Sequence, residues 1–120
     1  KLATILEPHG FVRGKGRHLE HPHTDLYLEF PPGPPAVGGY IITEWSSLET
    51  EYGTIQMLTP TQMVMDRLAA FFHWNDPQAL DQAVLIAQDN TLEWPALEDW
   101  ASLESASEKF QTFKRALERA

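Results

Sequence analysis

Five consecutive residues, Pro31-Pro32-Gly33-Pro34-Pro35, divide this chain. Proline fixes φ and has no N–H to donate, so neither a helix nor a central strand runs through such a segment. Pro31 to Gly39 therefore reads as an ordered connector, polyproline-like in part. The same residues also read as a proline-rich ligand for an aromatic groove.

The residues on either side follow different periods. On the N-terminal side, Leu2, Ile5 and Leu6 end a helix that Pro8 and Gly10 stop. Phe11 to Arg13 and Arg17 to His21 form a hairpin around Gly14-Lys15-Gly16. Asp25 to Phe30 then alternates polar and apolar, the period of a half-buried strand. Leu26, Leu28 and Phe30 would share one face, and Asp25, Tyr27 and Glu29 the other. Beyond the prolines, Ile41–Trp45, Leu48–Glu51 and Ile55–Leu58 are strand-like, with a turn at Tyr52-Gly53-Thr54.

From Thr59 the period changes to that of a helix. Thr59, Pro60 and Gln62 make a capping box with proline at the first helical position. This helix should run to about Trp74, with Met65, Leu68, Ala69 and Phe72 on one stripe. Asp76 caps a second helix, again followed by proline. Its residues Leu80, Ala83, Val84 and Ala87, flanked by Leu85 and Ile86, are apolar nearly all round, which predicts a central place in the core. A third helix begins near Pro95 and buries Leu97 and Trp100. A fourth opens on a box of Ser105 and Glu108 and stripes Ala106, Phe110, Phe113 and Leu117. The expected fold is α+β, with a small antiparallel or mixed sheet from the N-terminal half packed against three to four C-terminal helices. Residues 1–120 read as a single domain.

Composition narrows the function classes. With 42% hydrophobic and 22% charged residues the chain has the make-up of a globular protein. No apolar run approaches the ~18 residues of a membrane span, and the start has no signal-peptide pattern, so we expect a soluble, cytoplasmic protein. Without cysteine there is no thiol nucleophile and no Cys-based zinc site. Residues 1–23 carry four basic and two acidic side chains, a net of +2, which leaves −10 of the total −8 for the rest. An acidic body disfavours nucleic acid as a partner, because phosphate contacts need clustered Lys and Arg.

Three groups of residues are candidates for chemistry. His21-x-His23 on a strand would put two imidazoles on one face, so His21, His23 and Asp25, with His18 nearby, form a candidate metal set that still needs a further ligand. Asp25 and Glu29 lie four residues apart, ~13 Å along a strand, too far to share one ion. Arg67 and His73 on the first long helix are similar to a loose form of the Arg-x5-His motif of helical HEPN-type ribonucleases. There the Arg binds phosphate and the His is acid or base. Leu68 stands where that family usually has a polar residue, and six helical residues leave the two side chains ~120° apart. Nothing else in the chain pairs a nucleophile with a base or forms a phosphate loop before a helix. No cofactor is implied.

Longer stretches resemble a known group. Leu6 to Phe11, Gly16-Arg17-His18, His21-Pro22, Leu28-Glu29-Phe30-Pro31-Pro32-Gly33-Pro34 and Ala36-Val37-Gly38 carry the likeness, as do Leu58-Thr59-Pro60-Thr61, Asp66-Arg67-Leu68-Ala69-Ala70 and His73-Trp74-Asn75-Asp76. Together they are similar to the later portion of bacterial nucleotidyltransferase-fold proteins related to abortive-infection toxin-type transferases. In that superfamily a Gly-Ser loop and two carboxylates hold metal and nucleotide, and a third carboxylate sits on a later strand. The resemblance puts Glu29 at that third position, and places the loop and the first two carboxylates before Lys1. It implies a transferase-like remnant acting as a binding or interaction module, as a homodimer through an open sheet edge at Asp25–Phe30 or with another protein. The alternative is a nucleotidyl or phosphoryl transferase, or an RNase-type toxin component, active once a missing segment or a partner chain completes it.

Overall fold

A computed structural model describes residues 2–120. The chain is α+β, and it falls into two compact units, Lys1–Pro34 and Pro35–Ala120.

In the first unit, α1 (Leu2–Leu6) passes into a 3₁₀ turn (Glu7–His9), which Gly10 closes. Gly10 has φ +89° and returns its N–H to the Glu7 carbonyl, a left-handed cap that glycine adopts without strain. Strands β1 (Val12–Arg13), β2 (His18–His21) and β3 (Thr24–Glu29) follow as an antiparallel sheet in that order. Leu19 of β2 is buried, and its Cα partner is Leu28.

The half-buried alternation expected for Asp25–Phe30 is not found. The ladder pairs Glu20 with Tyr27 but His21 with Thr24, so Asp25 and Leu26 bulge out of register. A bulge bends the strand and breaks the two-residue period. All six residues of β3 are exposed, Leu26 at 78%.

In the second unit two further pairs form instead of additions to one sheet. The pair β4 (Ala36–Val37) with β5 (Tyr40–Ile41) is short, with β4 inside the segment read as a connector and β5 just beyond it. The strand expected at Ile41–Trp45 is therefore confined to Tyr40–Ile41. The hairpin β6 (Ser46–Thr50) with β7 (Gly53–Met57) keeps one register throughout.

The four long helices are α2 (Pro60–Trp74), α3 (Pro77–Asp89), α4 (Trp94–Leu103) and α5 (Ser107–Arg119). The Thr59 box forms in both directions, with Gln62 N–H on Thr59 Oγ1 at 3.2 Å and Thr59 N–H on Gln62 Oε1 at 2.9 Å. Asp76 Oδ1 accepts from the Gln78 and Ala79 amides, as its sequence position predicts. Val64, Met65, Leu68 and Phe72 of α2 meet Ala83, Val84, Leu97, Trp100, Phe110 and Phe113, with Val37 and Ile42 closing the core from the strand side. Trp100 stacks on Phe72 at 5.4 Å.

Two helix expectations change. α3 lies at the edge of the core, not its centre: Ala79, Ala83 and Val84 are buried, Leu80 only partly, and Leu85 is 62% exposed. The Ser105 box does not form. Ser105 has φ +56° and its N–H bonds the Ser102 carbonyl, while the Ala106 N–H reaches the Ala101 carbonyl. Those two bonds are the Schellman closure of α4, so Ser105 serves the end of one helix and is lost to the start of the next.

Candidate functional site

The most connected polar group in the second unit is at the ends of α2 and α4. His73 occupies the last turn of α2, which Asn75 closes in the left-handed conformation. Glu104 caps α4 and points its carboxylate at two donors. Oε2 lies 2.9 Å from His73 Nε2, and Oε1 accepts the Gly39 N–H at 2.9 Å. The Gly39 amide and then the His73 ring hold the Glu104 carboxyl below the ordinary carboxylate range, and burial opposes them. Close approach requires glycine here. A Cβ on Gly38 would stand 2.3 Å from Glu104 Oε1, and Gly38 has φ +57°.

Lys109 of α5 completes the junction by donating Nζ to the carbonyls of Phe71 and Phe72 at the C-terminal end of α2. A cation there also opposes the partial negative charge of the helix end. Beside these groups runs an open cleft of about 610 Å³ whose lining includes His73, Glu104, Ser105, Ser107 and Lys109. A carboxylate-oriented imidazole near hydroxyls is raw material for general-base chemistry. No serine hydroxyl bonds the His73 ring, however, and every side-chain bond of Glu104 and Lys109 fastens one element to another. The geometry is that of a clasp joining the β4–β5 turn, α2, α4 and α5.

The residues singled out from sequence lie in separate places. Arg67 bonds Asp66 and the Gln82 side chain, whereas His73 bonds Glu104, so the Arg-x5-His pair shares no partner. Glu29 of the first unit meets Arg17 at 3.5 Å and His18 at 3.8 Å, and His18 stacks on Tyr27. His21 ends β2 and accepts the His23 N–H on Nδ1, with the two rings 5.3 Å apart. His21 and Asp25 line one open cavity of about 410 Å³. Among the described residues no three His, Asp or Glu side chains converge as a metal ion requires.

Sequence reasoning missed the surface of the β6–β7 hairpin. Its register puts Leu48 opposite Ile55 and Ser46 opposite Met57, so Leu48, Ile55 and Met57 share one face. Glu49 and Thr54 share the other and bond to each other. Leu48 is 50% and Ile55 51% exposed. The signal was present in the alternation from Leu48 onward, but two strands alone do not reveal which face finds a cover. No family model, curated protein or solved structure matches the chain.

Proposed function

We propose that this chain is a protein-binding module that takes an added strand along β7. The observation that carries this reading is the β6–β7 ribbon, a regular two-stranded hairpin with an apolar face left half in water. An isolated pair of strands is marginal in water, and a third strand or a packed cover stabilises it. Alternate residues of β7 turn their N–H and C=O away from β6, and these groups are what an added strand pairs with.

The resemblance to nucleotidyltransferase-fold proteins accords with a module that keeps such a scaffold and works by contact. The contacts of Glu29 with Arg17 and His18, and the separation of Arg67 from His73 into different networks, favour binding over transfer chemistry. The fitting occupant is an extended segment, apolar at alternate positions and free of carboxylates, since the ribbon itself bears Glu49 and Glu51 without a basic residue.

Selection of random displayed peptides against the full chain tests this. Peptides with an apolar–polar alternation should be enriched, and their binding should drop at least tenfold in Ile55→Lys, because a buried unpaired charge at a strand interface is costly. Enriched peptides that bind Ile55→Lys and Gln56→Lys as well as the parent would contradict the reading.

A further inference from the structure

Resting on that reading, we infer that the strand added to β7 comes from a second copy of this chain. The two copies form a four-stranded antiparallel sheet, β6-β7-β7-β6, about a two-fold axis.

The described strand edges differ in how well they are guarded. β1, β4 and β5 are two residues long. β3 is bulged at Asp25–Leu26 and stopped by Pro31, and it carries Asp25 and Glu29. β6 carries Glu49, with Glu51 in the adjoining turn. Short edges, bulges, prolines and charges are the devices that keep edges from pairing. β7, Gly53-Thr54-Ile55-Gln56-Met57, has five residues in unbroken register, no proline and no charge. It is the one long strand here that meets its own copy without setting carboxylate against carboxylate. For a chain of net charge −8 that distinction decides between edges.

Pairing β7 with β7 satisfies the free N–H and C=O groups of both edges and keeps the two exposed faces on one side of the joined sheet. A two-fold axis perpendicular to the sheet keeps faces together, so Leu48, Ile55 and Met57 of both copies form one continuous apolar surface. Nothing in the ribbon requires a foreign sequence for this. The strand edge is about 17 Å long, so the contact falls at the small end of specific interfaces and the dimer is weak.

Sedimentation equilibrium of the full chain over roughly 10–500 µM, a range that brackets weak association, is the test. The parent should rise from 13.6 kDa toward twice that mass. Gln56→Lys places a cation in each copy along the shared edge and should raise the dissociation constant at least tenfold, whereas Gln56→Thr, uncharged and strand-favouring, should keep the dimer. Thermal melts of both variants close to the parent's show that the fold is intact. A parent mass constant at 13.6 kDa overturns self-pairing, and if selected peptides still bind Ile55 and its neighbours, strand addition itself stands. A dimer equally strong in Gln56→Lys overturns the proposed edge.

Discussion

His73 Nε2 lies 2.9 Å from Glu104 Oε2, and the other oxygen of that carboxylate accepts the Gly39 N–H at the same distance. One side chain, 12% exposed, thus joins the β4–β5 turn to two helix ends. Glu104→Ala leaves the Gly39 amide without its acceptor and should cost about 2 kcal/mol in urea unfolding, the range of hydrogen bonds to a charged group. Less than about 0.5 kcal/mol, typical of a plain surface change, would contradict the clasp.

The same contact sets a pH dependence. Glu104 titrates lower in the folded chain than its ordinary value of 4.5. Its contribution is therefore present above that ordinary value and is lost as pH falls through the lowered folded one. The stability difference between the parent and Glu104→Gln should be largest near neutral pH and shrink below pH 4.5. A difference that grows on acidification would show the sign to be wrong.

Gly38 tests the geometry from the other side. Gly38→Ala introduces both a strained φ and a clash with Glu104, and should destabilise by about 1–3 kcal/mol. Combined with Glu104→Ala, which removes the clashing oxygen, it should cost less than the sum of the single changes. Strict additivity in the double-mutant cycle would separate the two residues.

Legibility followed the range of the interactions. The Thr59 and Asp76 caps were readable because each bond spans two or three residues of the same segment. Ser105 was misread for a reason equally local: Ser-x-x-Glu fits a box, but the Schellman closure of α4 claims the serine first. The bulge in β3 depends on how β2 pairs beside it, and that pairing is not written in Asp25–Phe30 itself. The clasp was the least visible, since His73, Glu104 and Gly39 come from three elements and only the fold brings them together. Arg67 and His73, by contrast, are near in sequence and bond to different partners.

Ser105 in the left-handed region provides a check on that account. Ser105→Gly relieves the Cβ strain at a closure position and should stabilise by up to about 1 kcal/mol. If Ser105 were instead an N-cap for α5, the same change would destabilise.

The exposure difference along α3 predicts opposite results at adjacent residues. Val84, 8% exposed, faces the core, and Val84→Asp buries an unpaired charge, which should abolish folding or cost more than about 3 kcal/mol. Leu85→Asp on the outer face should stay within about 0.5 kcal/mol of the parent. Equal damage at both positions in thermal melts would mean that α3 is surrounded, as its sequence alone suggested.

The central claim is that β7 of one copy pairs with β7 of a second, and residue-resolved amide hydrogen exchange tests it most directly. Samples near 10 µM and near 500 µM straddle the weak association expected for so small an interface. Amides of Thr54–Met57 that face away from β6 should gain protection at the higher concentration, while those of Thr24–Glu29 stay unchanged. Protection gained along β3 instead, or at neither edge, would contradict the account.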